Sequence, residues 1–272
     1  MTSMPVLLPP QPFDLADCVT CSNLVNISYN MYADWISAKK PAQKDFHWNP
    51  PSSEFTFSPL IWGETKELWI FKHAEPFALI ASNKTQVFVV FRGTESTEDW
   101  LVDGDADQTA YSLVKNYGKV HHGFFKLYKS IRTSLLQTLK ETMASTDIKQ
   151  LFITGHSLGS GLSTLAVPDI LNQPFIIDNT ALTINHFNLA SPRVGDPEFT
   201  SALNQGRANN YRVVNTSDIV PTLPPSILGR DLYQHIGTTV TFTAQYGTYA
   251  GNHNSLNSYN YALKNTLQPT AL

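Results

Sequence analysis

The pattern of apolar and polar positions changes its period along the chain and predicts alternating helices and strands. From 124 to 143, apolar residues recur every three or four positions, which predicts an amphipathic helix. The apolar run at 151–154 predicts a short buried strand, and the small and apolar residues at 157–171 predict the helix that follows it. Later in the chain, strands are predicted at 182–189, 211–214 and 238–243, and a final helix at 256–263.

The earlier part of the chain predicts strands in tandem, without helices between them. Apolar runs at 68–71, 77–81 and 86–92 predict three strands, and the last two are joined by the turn residues Asn83 and Lys84. Residues 41–59 are rich in proline and serine but also carry aromatic side chains, which predicts an ordered loop. The whole succession indicates an α/β fold, with a mostly parallel central sheet, helices on both faces and an antiparallel start.

The composition is that of a globular protein. A chain of 272 residues, 42% hydrophobic and 15% charged, can bury a sizeable core, and we expect a single domain over residues 1–272. The net charge of −3, without a basic block, gives no reason to expect nucleic acid or an anionic membrane as a partner. The sequence has no transmembrane run, and residues 1–12 make a poor signal peptide, so we expect a cytoplasmic protein, with a secreted mature form as the alternative.

Two cysteines, Cys18 and Cys21, have the spacing of a redox or zinc motif but lie in a helical context. Leu24 and Ile27 follow them with helical spacing, whereas a redox C-x-x-C pair follows a strand. A zinc site would need two further ligands at fixed spacing, and none is apparent in the sequence. We therefore expect two buried thiols on one helical face, and neither a metal nor an organic cofactor.

A turn suited to a reactive serine separates the predicted strand at 151–154 from the helix after it. Gly155 and Gly159 flank Ser157 in the pattern G-x-S-x-G, and they leave room for the strained turn that exposes a nucleophilic hydroxyl. The N–H groups at the start of the helix would point at a developing oxyanion. The alternative is that Ser157 only caps the helix.

The order of residues along the chain selects the partners of this serine. In α/β-hydrolases, which share the turn, the nucleophile is followed by an acid and then by a histidine. Of the eight histidines only His235 and His253 come late enough, and we favour His253 because it lies in a loop, whereas His235 leads into a strand. For the acid we favour Asp218 over Asp196, which precedes a proline as a helix N-cap does. Three other aspartates are expected at the surface: Asp169, Asp178 and Asp231.

Five motifs follow one another through roughly residues 75–260. Besides the G-x-S-x-G turn they are V-F-R-G-T at 90–94, V-H-H-G-F at 120–124, S-P-R-V-G-D at 191–196, and D-I-V-P with L-P-P at 218–225. In this order they resemble the class 3 lipase family, which includes the triacylglycerol lipases of filamentous fungi. The resemblance implies the α/β-hydrolase fold and a serine hydrolase, a triacylglycerol lipase or carboxylesterase.

The resemblance also implies roles for individual residues. The catalytic serine, aspartate and histidine of the family fall on Ser157, Asp218 and His253, the three residues that chain order selects. The oxyanion hole of the family falls on Thr94 and on the backbone N–H of Leu158. A simple turn residue is the other interpretation of Thr94.

Residues 95–119 correspond to the lid helix that opens at a lipid surface in the fungal members. This lid-like segment is acidic and has only a modest apolar face, which favours a broad lipase or esterase over a strictly interfacial enzyme. We expect a transient contact with a lipid interface, and a polar surface loop is the alternative. Trp100, within the segment, and His156, beside the nucleophile, are expected to contact the substrate.

The sequence therefore predicts hydrolysis of acylglycerol-type carboxylic esters through an acyl-enzyme, with a lipid or another small ester as the substrate. Two other functions remain open at this point. A feruloyl or aryl esterase could use the same scaffold, and a non-catalytic lipid-binding relative could keep the fold. The intact serine, aspartate and histidine count against the second of these.

Overall fold

The described residues of the computed structural model, 12–52, 54–67, 71–94, 107–144 and 147–265, build a central sheet of eight strands. The sheet strands are β1 (Thr56–Phe57), β2 (Ile61–Glu67), β3 (Phe71–Ser82), β4 (Gln86–Phe91), β7 (Gln150–His156), β8 (Thr183–Leu189), β9 (Asn209–Asn215) and β12 (Thr238–Phe242). Two small antiparallel hairpins stand apart from the sheet: β5 (Gln108–Ala110) with β6 (Lys119–His121), and β10 (Ile227–Leu228) with β11 (Asp231–Leu232).

The sheet is antiparallel at its start and parallel afterwards. Strands β1, β2 and β4 all pair antiparallel with β3, whereas β4, β7, β8, β9 and β12 follow one another in parallel. Both the mostly parallel sheet and its antiparallel start are confirmed. In parallel strands the carboxyl ends meet at one edge, so the loops after β4, β7, β8, β9 and β12 converge there.

Helices cover both faces of the sheet, as predicted. One face carries α2 (His122–Ala144) and α3 (Leu158–Leu171), and the other carries α1 (Leu15–Ser37) and the C-terminal helices. The remaining helices are short: α4 (Pro174–Ile177), α5 (Pro197–Asn204), α6 (Tyr249–Asn252), a π-helix (Ser255–Asn260) and α7 (Tyr261–Asn265), with 3₁₀ turns at Gln43–Asp45 and Val220–Thr222. None of the helices in the described residues is long and apolar enough to cross a membrane.

The core explains why the central strands are apolar without alternation. On β4, Val87 and Val89 pack towards α2 and α3, while Phe88 and Val90 pack towards α1. All four side chains are fully buried. A strand that is covered on both faces needs apolar residues at every position. The uninterrupted apolar run in the sequence therefore indicated a buried strand.

Two predictions about the early chain met different outcomes. Strand β2, with its polar residues, was not predicted, and the predicted strand at 68–71 overlaps the described residues only at Phe71, where β3 begins. The two cysteines, by contrast, lie on α1 as buried free thiols, as expected. Burial raises the pKa of both thiols above the ordinary value.

The two ends of the described chain meet on one face of the sheet. Asn260, at the end of the π-helix, donates from Nδ2 to Ser22 Oγ at 3.0 Å and to Asn23 Oδ1 at 3.1 Å. Ser255, at its start, donates to Asn26 Oδ1 at 2.9 Å. Helix α1 and the C-terminal helices are therefore held together by a polar seam as well as by the apolar contacts around it.

A group of polar side chains is enclosed between α3 and the sheet. His186 on β8 lies with Nε2 at 3.0 Å from Ser163 Oγ and with Nδ1 at 2.9 Å from Asn210 Oδ1. Ser163 Oγ lies 2.7 Å from Asn188 Oδ1. Burial lowers the pKa of His186 to about 4, against the opposing effect of its hydrogen bonds. The imidazole is therefore neutral in the folded protein at neutral pH.

We expect this buried imidazole to make the protein less stable in acid. The unfolded chain binds a proton at His186 below about pH 6.5, whereas the folded protein binds it only near pH 4, so stability is lost as the pH falls through that window. The loss from this group should reach about 3 kcal/mol in the free energy of unfolding below about pH 4, of which about 2 kcal/mol is already present at about pH 5.

Urea unfolding at about pH 7.5 and about pH 5 measures this loss. The variant His186→Gln should show a smaller difference between the two pH values than the wild type. An unchanged difference in the variant would show that another group causes the acid sensitivity.

Candidate active site

The serine turn predicted from the G-x-S-x-G pattern joins β7 to α3. Ser157 adopts φ 58° and ψ −127°, a left-handed conformation that side chains rarely accept. A Cβ on Gly155 would lie 2.3 Å from the Gly159 carbonyl, and one on Gly159 would lie 2.4 Å from Phe91 O. Both glycines are therefore required by close approach. The Ser157 side chain makes no capping hydrogen bond, so the alternative of a simple helix cap does not describe this turn.

The turn is fastened to the neighbouring strand. Ser157 donates from its backbone N–H to Leu189 O, the last residue of β8, at 3.1 Å. Ser160 Oγ lies 2.6 Å from Gly155 O and 2.7 Å from Leu189 O, and it accepts from Leu189 N at 3.1 Å. These bonds fix the first turn of α3 relative to the sheet. Leu158 is the first residue of that helix, where a backbone N–H has no partner within the helix.

A buried carboxylate and a buried imidazole meet beside this turn. Asp218 follows β9, His253 follows α6, and His253 Nδ1 lies 2.7 Å from Asp218 Oδ2. The other carboxylate oxygen, Oδ1, accepts from Val220 N at 3.0 Å. With a proton on Nδ1, the second nitrogen of His253 carries a free lone pair.

Two atoms that a hydrolytic reaction would use have no hydrogen-bond partner in the described part of the chain. They are Ser157 Oγ and His253 Nε2, and both are buried. The ring of His253 lies 4.6 Å, centre to centre, from the ring of His156, the residue before Ser157. The structure therefore brings the imidazole to the serine turn. Unpaired buried polar atoms are costly, and they are common where substrate completes a site.

His156 itself is a second imidazole in the site. Its Nδ1 lies 2.9 Å from the hydroxyl of Tyr29, which reaches in from α1. Burial lowers the pKa of His156 well below its ordinary value, and a charge on His253 would lower it further. His156 is therefore neutral.

The end of β4 lies directly against the serine turn. A Cβ on Gly93 would lie 3.1 Å from Ser157 Cβ and 2.7 Å from His156 O, so only glycine fits there. Arg92 is buried, pairs with Glu75, and donates to Gly93 O at 2.7 Å. Its guanidinium also stacks on the ring of Tyr32, 3.7 Å from the ring centre.

The other predicted residues lie elsewhere or play structural roles. Asp196 caps α5 by accepting from Phe199 N at 2.8 Å, as expected. His235 Nε2 lies 2.7 Å from Pro221 O, and burial, followed by the charge of Arg212, lowers the pKa of His235 to about 3. The His235 ring is thus neutral and is already hydrogen-bonded to the backbone.

The expectation of a surface position for Asp169 is wrong. Its carboxylate is buried between α2 and α3, where it accepts from Tyr128 Oη at 2.8 Å and from Arg132 Nε at 2.7 Å. Arg132 Nη2 donates to the second oxygen at 2.9 Å. A bidentate ion pair with Arg132 and a hydrogen bond from the buried Tyr128 hydroxyl replace the water that a surface carboxylate would bind.

Part of the lid-like segment lies outside the described residues. Trp100, which was predicted to contact substrate, belongs to 95–106 and lies outside the described residues. Thr94, the last described residue before this gap, follows Gly93 and is half-buried. The later half of the segment forms the hairpin of β5 and β6, and Gln108 N donates to Asp231 Oδ2 at 3.1 Å.

Sequence reasoning missed Tyr29 and Tyr259. Tyr29 lies in α1, far from any of the five motifs, and its hydroxyl meets His156 across 127 residues of chain. Tyr259 lies in the π-helix and donates to Asp218 Oδ2 at 2.6 Å. A tyrosine in an apolar helical pattern is normally a core residue, so the pattern held no signal for either contact.

The chain is similar in sequence to proteins of a known family. The family model described as Lipase (class 3) matches residues 88–227. The chain is 32% identical to a lipase of Rhizomucor miehei over 148 residues, which is 54% of this chain and 40% of that protein. It is 27% identical to secreted mono- and diacylglycerol lipase A of Penicillium cyclopium over 168 residues (62% and 52%). It is 30% identical to phospholipase A1-II 3 of Oryza sativa subsp. japonica over 174 residues (56% and 41%). The chain thus spans about half or less of the length of each of these relatives.

Solved structures show the same fold. The triacylglyceride lipase of Rhizomucor miehei superposes with a TM-score of 0.61 at 22% identity, over 87% of this chain and 83% of that one. A lipase of Rhizopus microsporus var. chinensis gives 0.63 at 20% identity, over 89% and 81%. The chain therefore has the α/β-hydrolase fold. Because the family model spans more than half of its 272 residues, the protein belongs to the class 3 lipases.

Proposed function

We propose that this chain hydrolyses carboxylic esters of the acylglycerol type through an acyl-enzyme, with Ser157 as nucleophile, His253 as general base and Asp218 as its partner. One observation carries the proposal. A buried imidazole is joined to a buried carboxylate at 2.7 Å, and its ring lies 4.6 Å, centre to centre, from His156, the residue before the strained Ser157. This is the arrangement that activates a serine hydroxyl in unrelated hydrolases.

In the first half of the proposed reaction, Ser157 Oγ attacks the ester carbonyl carbon while His253 Nε2 takes its proton. Asp218 holds Nδ1–H and stabilises the imidazolium that results. The N–H groups of Thr94 and Leu158 stabilise the oxyanion, because Gly93 brings the end of β4 against the turn. His253 then gives its proton to the leaving alcohol, and the acyl group remains on Ser157.

In the second half, water attacks the acyl carbonyl and His253 Nε2 takes a proton from it. The tetrahedral intermediate collapses, Ser157 Oγ leaves and recovers the proton from His253, and the fatty acid is released. The enzyme returns to its starting state. No metal enters these steps, and among the described residues no group of three or more possible metal ligands occurs.

Two observations support a lipid as the acyl donor. The relatives from Rhizomucor miehei and Penicillium cyclopium are named lipases. In addition, eight of the nine exposed large apolar side chains of the described chain lie between 219 and 261, the segment that begins next to Asp218 and contains His253. Exposed large apolar side chains in the part of the chain that supplies Asp218 and His253 favour contact with an apolar phase. We further propose a transient contact with a lipid interface through this segment.

The purified full chain tests the proposal directly. We expect a fluorophosphonate probe to label it, and we expect faster turnover of emulsified triacylglycerol and p-nitrophenyl butyrate than of methyl ferulate or phosphatidylcholine. Labelling by the probe requires only an activated serine and does not depend on which acyl group the enzyme prefers. The relative rates with the four substrates show which acyl and alcohol groups the site accepts.

The other outcomes separate the competing functions. Fastest turnover of methyl ferulate would make the protein an aryl esterase, and fastest turnover of phosphatidylcholine would make it a phospholipase. A folded protein that neither labels nor hydrolyses any of the four would be a non-catalytic relative.

A further inference from the structure

The carboxylate of Asp218 has a third donor besides His253 and the backbone. The hydroxyl of Tyr259 donates to Asp218 Oδ2 at 2.6 Å, and this is the same oxygen that faces His253 Nδ1 at 2.7 Å. Val220 N–H occupies the other oxygen at 3.0 Å. Two donors thus converge on the single oxygen atom through which Asp218 acts on the imidazole.

The hydroxyl of Tyr259 is itself held in place. It accepts from Asn215 N, at the end of β9, at 3.2 Å. The ring is fully buried and packs edge-on against Phe242 and His156, with centres 5.2 Å and 5.3 Å away. The hydroxyl therefore links the end of β9 to Asp218, and the ring is packed between Phe242 and His156.

A local irregularity of the helix places this side chain. Ser258 N and Tyr259 N both donate to Asn254 O, at 3.1 Å and 3.2 Å, so the turn holds one residue more than an α-helix does. Such π turns rotate the residues after them and occur often at functional sites. Burial raises the pKa of Tyr259 well above 10, so the hydroxyl keeps its proton and remains a donor throughout the pH range in which an esterase would work.

We propose that Tyr259 is a positioning residue for the reaction: its hydroxyl fixes Asp218 Oδ2 against His253 Nδ1 and limits how strongly the carboxylate holds the imidazolium. The inference rests on the function proposed above. A hydrogen bond to a charged oxygen is strong, and sharing that oxygen between two donors weakens its pull on each of them.

The variant Tyr259→Phe tests the inference because it removes only the hydroxyl. We expect kcat to fall by roughly tenfold, since the carboxylate loses its brace, and KM to change by less than about twofold, since no contact with substrate is lost. With one donor fewer on Oδ2, the carboxylate should stabilise the imidazolium more strongly. His253 should then keep its proton to higher pH, and the acid limb of kcat/KM should move upward by about half a pH unit.

A matched control removes a tyrosine hydroxyl from the same part of the chain. Tyr246 Oη donates to Asn257 O, within the π-helix, also at 2.6 Å, but it donates to a backbone carbonyl. Tyr246→Phe should leave both kcat and the acid limb unchanged. The titratable groups packed around His253 in the described chain are Asp218 and His156, with Tyr259 and Tyr29 behind them, and none of these is altered in the control.

The measurements separate a positioning role from a structural one. A fall in kcat without movement of the acid limb, or no change in either, would overturn the inference. If Tyr259→Phe does not fold, 3-fluorotyrosine at position 259 keeps the ring and provides a more acidic hydroxyl. This stronger donor should move the acid limb to lower pH, and an unmoved limb would again overturn the inference. Failure of the proposed function itself would be recognised separately, because the wild type would then not label with fluorophosphonate.

Discussion

The variant Ser157→Ala should lose ester hydrolysis almost completely, with kcat lowered by roughly 10⁴-fold to 10⁶-fold. The Ser157 hydroxyl is the nucleophile of the proposed reaction, and without it no acyl-enzyme forms. Turnover of p-nitrophenyl butyrate and labelling by fluorophosphonate both measure the effect. The protein should still fold, because the Ser157 side chain makes no hydrogen bond in the described structure.

A second serine on the same helix provides the control. Ser163 is also buried, and its hydroxyl lies within the polar group around His186 rather than at the turn. Ser163→Ala should reduce stability but keep fluorophosphonate labelling and most of kcat. Retained hydrolysis in Ser157→Ala, with the protein shown to be folded, would refute the assignment of the nucleophile.

The variant His253→Ala should cause a loss of similar size, because removal of the general base leaves the serine hydroxyl protonated and unoriented. His235→Ala is the matched control, since the two histidines were the candidates left by chain order. The His235 ring is bound to Pro221 O and neutral, so its loss should affect stability far more than kcat. Parallel assays of the two variants with p-nitrophenyl butyrate decide between them. An active His253→Ala beside an inactive but folded His235→Ala would transfer the role of base to His235.

The sequence was informative where the structure is determined by neighbours along the chain. The serine turn depends on Gly155 and Gly159, both within two residues of Ser157, and it could be predicted from the pattern alone. The buried strands were visible as uninterrupted apolar runs. Asp218 and His253 could be selected because the topology of the fold fixes which loops reach the carboxyl edge of the sheet.

The sequence was uninformative where a residue acquires its role from a distant partner. Asp169 looks like a surface carboxylate until Arg132 and Tyr128, on the preceding helix, are placed against it. Tyr29 and Tyr259 look like core residues, since only the three-dimensional structure brings their hydroxyls to His156 and Asp218. Strand β2 begins with the buried residues Ile61 and Trp62 but continues with an exposed Glu64 and further polar residues, so its apolar run is too short to indicate a strand.

The polar seam between α1 and the C-terminal helices has a consequence for the order of events during synthesis. A ribosome-bound chain that has emerged only as far as β9 could already contain the serine turn, but it would lack both His253 and Tyr259. The nascent polypeptide would carry an inactive Ser157 hydroxyl until the C-terminal helices dock onto α1. Chemical competence would then arise only after the residues up to Tyr259 have been made and docked.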